Sequence, residues 1–249
     1  MNRTVMRAGQ MLKFIAKNKD GVTLQNIAEH LDVPKSSAFV ILQTLLEMNF
    51  VVPSRYNEKK YCLGLDTFTL GMQYVNDLDV VSLCARYLNP IADKYGKTGF
   101  VGVLSGRQVV YIYKYVSDGV RLASCDVGST KSAHLTALGK SIMAHLKKEE
   151  LDELFKKINF QAVTANSITS KEKLVQELAV AKEKGYSLDN RENDDMLACC
   201  AAPIFDYTQK IVGAISLSDL YTEGENMEQM ALDLKDVAGM ISQSLGYIN

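Results

Sequence analysis

The sequence is short of the groups that most catalytic, metal-bound or secreted proteins rely on. Its 249 residues include three histidines (His30, His134, His145) and five cysteines (Cys62, Cys84, Cys125, Cys199, Cys200). The cysteines are odd in number, scattered and free of any C-x-x-C pair, which argues against a disulfide framework and a structural zinc site. Reduced thiols packed as small hydrophobes are the plain reading. A cysteine nucleophile would need one of the three histidines, and Cys199 with His134 is the pairing to test. No G-x-S-x-G, P-loop or H-E-x-x-H stretch accompanies them. His134, Asp189 and Cys199 lack the local spacing of a metal site. No catalytic residue, metal or cofactor is therefore expected. No apolar run approaches a bilayer span, and Met1-Asn-Arg-Thr-Val-Met-Arg7 has no signal-type apolar stretch. A cytoplasmic protein without a membrane partner is expected. Internal repeats and low-complexity segments are also missing.

What is present is the balance of a globular protein: 47% apolar and 23% charged residues, at a length suited to two domains. The net charge of −1 is unevenly spread. Residues 1–60 hold nine Lys/Arg against five acids, a net +4, and the rest carries −5. A basic head on an acidic body fits a small nucleic-acid-binding domain joined to something else.

The head has its own pattern. Residues 4–17 place Val5, Met11, Leu12, Ile15 and Ala16 at near-helical spacing. Thr23 is an N-cap for a short second helix with Leu24, Ile27, Ala28 and Leu31 on one face. Asp32-Val-Pro34 breaks it, and Pro34 opens a third helix that runs to about Met48. Ala38, Ile41, Leu42, Leu45 and Leu46 form the buried stripe of that helix. Two short strand-like runs follow, Phe50-Val-Val52 and Lys60-Tyr-Cys-Leu63, around a polar turn at 54–59. Three helices and a hairpin make a winged helix-turn-helix over 1–63. A helical domain that merely ends in a hairpin fits less well, because the link between helices two and three has only three residues.

From Gly64 to Lys97 the apolar pattern is again helical (Leu65, Phe68, Leu70, Met72, Val75, Leu78, Val81, Leu83, Leu88, Ile91), too apolar for a free linker. It reads as a connection that packs against something, such as a second subunit. In 98–249 hairpins mix with helices. Strands are expected at 100–104, 109–113, 120–125, 186–189, 198–205 and 210–218, and helices at 134–146, 149–157, 171–184 and 225–245. The whole is α+β with an antiparallel sheet.

Three stretches carry a resemblance: Ala133-His-Leu-Thr-Ala-Leu-Gly-Lys140, Gly185-Tyr-Ser-Leu-Asp-Asn-Arg-Glu192, and Cys200-Ala-Ala-Pro-Ile-Phe-Asp206 leading to Val212-Gly-Ala-Ile-Ser-Leu-Ser218. In that order and separation they resemble the IclR-type transcription regulators over nearly the whole chain, and Val33-Pro-Lys-Ser-Ser37 fits the head of the same family. The resemblance implies a GAF-like effector-binding domain, a homodimer or dimer of dimers, and control of a nearby catabolic operon. Repression is the more common outcome in the family, and activation is the alternative. Family members commonly carry an Arg on the exposed face of the recognition helix, where the register here gives Val40. The reading face would be Ser36, Ser37, Phe39, Val40, Gln43 and Thr44, with Lys35 at its start; Ser, Thr and Gln can bond base edges, and Phe39 or Val40 can pack on thymine methyls. Arg3, Arg7, Thr23, Lys35, Arg55 and Lys59 complete the expected contacts with operator DNA, mostly to phosphates.

The resemblance also places an effector pocket. Its backbone contacts are Ala137 and Leu138 in the first turn of the 134–146 helix, where free N–H groups suit a carboxylate. Asp189 can accept from a ligand hydroxyl or amine, or cap the turn before Asn190. Ser216 and Ser218 stand two apart on a strand and share a face, either of the pocket or of the solvent side. Leu197 and Cys199 would line the wall, although Cys199 also suits plain core. The implied effector is a small organic acid (hydroxy, keto or sugar acid), with an aromatic acid as runner-up.

Overall fold

The computed structural model describes residues 1–18, 20–70, 80–120, 125–224 and 227–248. They fall into two units, Met1–Leu78 and Asp79–Asn249.

The first unit begins with helix α1 (Arg3–Lys17), capped by the Asn2 side chain. Strand β1 (Val22–Thr23) leads into α2 (Leu24–Leu31). Thr23 caps α2 reciprocally with Asn26: the Asn26 N–H donates to Thr23 Oγ1 at 3.2 Å and the Thr23 N–H to Asn26 Oδ1 at 3.1 Å. Asp32, at φ 50°, ends α2 in the left-handed region, and Pro34 occupies the N-cap of α3 (Lys35–Glu47). The turn 32–34 sets α2 and α3 so that both bury their apolar faces. Ile27, Ala28, Ala38, Ile41, Leu42 and Leu45 join Met11 and Ile15 in one core, with Leu46 at its edge. Val5 and Ala16, expected in the stripe of α1, are exposed instead. Strands β2 (Val51–Ser54) and β3 (Asn57–Leu63) form the hairpin. β3 pairs with both β2 and β1, so the wing is a three-stranded antiparallel sheet. The turn is tighter than the polar run 54–59 suggests: only Arg55 and Tyr56 lie between the strands. Residues 65–70 are helical and expose Leu65, Phe68 and Leu70. Met72, Val75 and Leu78 lie outside the described residues.

The second unit is built on a six-stranded antiparallel sheet of order β6-β5-β4-β9-β8-β7. Its strands are β4 (Thr98–Ser105), β5 (Gln108–Val116), β6 (Thr130–Ser132), β7 (Ser187–Asn190), β8 (Leu197–Phe205) and β9 (Ile211–Leu220). The strand expected at 120–125 lies largely outside the described residues. Helix α4 (Val80–Tyr95) packs on β4 and β5, and buries Cys84, Leu88, Ile91 and Ala92. The C-terminal part of the 64–97 stretch is thus folded onto this sheet. Helix α8 (Met227–Ser244) packs against α4 and β8, and buries Leu234, Ala238 and Ile241.

The helix expected over 134–146 is broken. A 3-10 turn at Ala133–Leu135 comes first, and α5 spans Ala137–Met143 with Thr136 as N-cap. The Thr136 hydroxyl accepts from the Gly139 N–H at 3.1 Å, so the chain restarts its helix there. Helix α6 (Lys148–Phe155) follows, then α7 (Lys171–Lys184). Ser170 caps the start of α7, and Gly185, at φ 76°, ends it in the left-handed conformation that favours glycine.

Candidate functional site

α5 lies across β4, β7, β8 and β9, and a cavity of about 30 Å³ sits between it and the sheet. Strand register explains which side chains reach the cavity. Ser218 of β9 pairs with Cys199 of β8, and Cys199 pairs with Asp189 of β7. Directly paired residues of antiparallel strands face the same side, so Ser218, Cys199 and Asp189 form one lateral row. One step along, Ser216 pairs with Phe100 of β4 and Ala201 of β8. Leu197 stands two residues before Cys199 and shares its face.

All seven residues assigned from the sequence line this one cavity: Ala137, Leu138, Asp189, Leu197, Cys199, Ser216 and Ser218. Ser216 and Ser218 are 3% and 4% exposed, which removes the solvent-face alternative for them. The Cys199 thiol donates to Ser218 Oγ at 3.0 Å, and burial holds it well above the usual thiol range, far from a thiolate. His134 is not in the cavity lining. It packs edge-on against Phe160 with ring centroids 5.4 Å apart, and burial lowers its pKa to about 4. No nucleophile pair is assembled from these two residues.

Asp189 serves the turn and faces the cavity. Its Oδ1 accepts from the Glu192 N–H at 2.7 Å, across Arg191, whose φ of 61° marks a tight left-handed corner. Burial, with the Glu192 carboxylate beside it, raises the Asp189 pKa to about 7. A carboxyl poised there can donate a proton to a ligand oxygen or accept from a ligand hydroxyl. Beneath it Lys140 is 1% exposed, and its Nζ donates to both Glu192 oxygens at 2.6 and 2.7 Å, with Glu177 at 3.6 Å. The Ser187 hydroxyl donates to the Ala137 carbonyl at 2.6 Å and fixes the start of α5 to β7. The motif residues at 133–140 and 185–192 are thereby joined into one block.

Several further residues line the cavity without a local signal in the sequence: Phe100, Tyr111, Cys125, Lys131, Asn193 and Asp194; Thr136, inside the 133–140 stretch, lines it too. Lys131 is on the edge strand β6, whose three residues are too few to show a strand pattern. Phe100 and Tyr111 meet edge to face at 5.2 Å and close the apolar end.

In the first unit, Lys35, Ser36, Phe39, Val40, Gln43 and Thr44 are exposed on α3, and Ser37 is half-buried. Thr44 Oγ1 bonds back to the Val40 carbonyl at 3.1 Å. Arg3, Arg55 and Lys59 are exposed and Arg7 is half-buried. Thr23 is committed to the cap of α2: its hydroxyl bonds Asn26 Oδ1 at 2.7 Å. Tyr56, missed as one more residue of a polar turn, stands 98% exposed at the tip of the wing beside Arg55.

Comparison with known proteins gives a consistent picture. The IclR helix-turn-helix domain matches residues 4–55, and the bacterial transcriptional regulator IclR C-terminal domain matches residues 72–243. The HTH-type transcriptional regulator XynR of Escherichia coli (strain K12) is 28% identical over 247 residues, covering 98% of each chain. The crystal structure of the Agobacterium tumefaciens repressor BlcR aligns with a TM-score of 0.80 at 27% identity, over 99% of this chain and 98% of that one. Thermotoga maritima IclR aligns with a TM-score of 0.63 at 31% identity, over 98% and 99%. No helix among the described residues is long and apolar enough to cross a membrane. The chain belongs to the IclR family of transcription regulators, which bind DNA and are not enzymes.

Proposed function

We propose that this regulator is a repressor whose operator affinity is set by a small organic acid, bound in the cavity between α5 and the sheet. The head (1–63) holds the operator, the domain at 98–249 senses the acid, and 64–97 supplies the helical link and the start of the effector domain. The observation that carries the reading is the convergence of Asp189, Cys199, Ser216 and Ser218, from three strands, with the first turn of α5 on one cavity. The N–H groups of Ala137 and Leu138 have no partner among the described residues, so they are available to a carboxylate. The repressor sign is supported by the similarity to BlcR, itself named a repressor. A homodimer or dimer of dimers on a pseudo-palindromic operator follows the two-fold logic of helix-turn-helix proteins.

The cavity's volume of about 30 Å³ is far below the several hundred Å³ usual for a small-molecule pocket. An organic acid therefore enters only if α5 or the loop after Asn190 moves away from the sheet. Sensing then needs no separate device: the bound and empty domains differ in shape, and the acid shifts the balance by its differential affinity.

Calorimetry with a panel of hydroxy, keto, sugar and aromatic acids tests the site. Replacing Ser216 and Ser218 together by Ala removes two ligand hydrogen bonds and is expected to weaken the cognate acid about ten- to a hundredfold. Operator binding without acid should stay at the wild-type level. Unchanged acid affinity in the double variant would remove these serines, and the cavity, from the site.

The DNA-facing charges give a second expectation. Lys35→Ala and Arg55→Ala should each weaken binding at every sequence and reduce the slope of log K against log salt by about 0.9, as one lost phosphate contact does. An altered sequence preference at constant slope would make that residue a base reader.

A further inference from the structure

From the exposed face of α3 we infer that the middle of the recognition helix reads A·T pairs, through thymine methyls and adenine, and carries no arginine fork for guanine. The inference rests on the family assignment, which puts α3 in the major groove. α3 spans about 18 Å, enough to follow roughly five base pairs. From Lys35 to Glu47 it holds no arginine, and its one cation, Lys35, is at its first position, a full turn before Phe39 and Val40. The guanidinium fork that commonly reads guanine O6 and N7 is therefore missing from this helix.

What stands on the face instead is apolar. Val40 is 66% exposed and Phe39 44%, although the rest of the helix buries its apolar residues efficiently. Neither contributes to the core of the head. Exposed apolar side chains at the centre of a major-groove helix have one apolar group to meet there, the C5-methyl of thymine. Gln43 is one turn beyond Phe39 and Val40 and is exposed; its amide matches the N6 and N7 edge of adenine. Thr44 has already spent its hydroxyl proton on the Val40 carbonyl, which leaves Gln43 as the strongest donor on the middle of the face. Methyl packing and an adenine-reading amide, adjacent on one helix, select the same class of base pair.

The test uses the full chain and a pool of duplexes with a randomised core. Rounds of selection should recover half-sites whose central positions are A·T pairs. In the recovered duplex, each thymine is then replaced singly by deoxyuridine, which removes the methyl and leaves pairing and phosphates intact. Wild-type protein should bind about fourfold more weakly at one or two central positions and unchanged elsewhere. Val40→Arg, at a solvent-exposed site, should select a guanine at one of those positions and lose the response to deoxyuridine there. Half-sites with G·C pairs at the centre, or silence to every deoxyuridine replacement, overturn the inference while leaving DNA binding intact. A pool that never enriches overturns it together with sequence-specific binding itself.

Discussion

Lys140→Met should destabilise the effector domain by about 3–5 kcal/mol, the cost typical of leaving one partner of a buried ion pair without its counter-charge. The Lys140 ammonium is 1% exposed and lies within 2.7 Å of both oxygens of Glu192. Burial already raises the Glu192 pKa above the usual carboxylate range, against the pull of Lys140. Without the ammonium, Glu192 must take up a proton or draw in water, and the loop that Asp189 holds through the Glu192 N–H loosens with it. Urea unfolding followed by a probe in the effector domain measures the loss. Lys140→Met combined with Glu192→Leu should recover most of it, because an apolar pair of similar volume replaces the ions. A single-variant loss below about 1 kcal/mol would show that Glu192 is satisfied by another route.

Gly139→Ala should be comparably severe for a steric reason. A Cβ at position 139 would stand 2.0 Å from the Ala133 carbonyl oxygen and 2.5 Å from the Ala133 Cα, both backbone atoms. The 3-10 turn and α5 can approach so closely only because residue 139 has no side chain. Relief requires α5 to shift, which moves Ala137 and Leu138 and breaks the Thr136 cap. We expect a loss of about 3 kcal/mol or more, a fall in Tm on the order of 10 °C, and no measurable acid binding. Gly239→Ala is the matched control: nothing lies within 4 Å of its Cβ position in α8, and the change should be neutral or slightly stabilising. Equal behaviour of the two variants would contradict the role given to the close contact.

The parts of this structure visible in the sequence are those specified by local periodicity and caps. Helix α7 coincides with the expected 171–184 and ends at Gly185 because capping is a local property. Ser216 and Ser218 share a buried face because side chains alternate along a strand. Strands β1 and β6, of two and three residues, escape because no period can be read over so short a span. Asn57, Glu58 and Lys59 are polar and exposed yet belong to β3: Asn57 pairs with Ser54 of β2, and the register then shifts so that Tyr61 meets Pro53. The apolar stretch 134–146 reads as one helix, and the break at Thr136 is set by a hydroxyl-to-backbone bond that competes with helix continuation. The Lys140–Glu192 pair joins residues 52 apart in sequence, a contact that neither segment specifies alone. The seven cavity residues came from motif resemblance; the register across β7, β8 and β9 supplies the physical reason that Asp189, Cys199 and Ser218 form a row.

The most direct test of the central claim is a coupled titration: acid binding to the full chain by calorimetry, with and without the selected operator duplex, alongside duplex binding with and without saturating acid. The expected result is that the acid weakens operator binding, and that the duplex weakens acid binding by the same factor, about 5–150, as linkage between two sites requires. Acid that binds tightly while operator affinity stays unchanged would contradict the claim that this cavity controls the DNA-binding head.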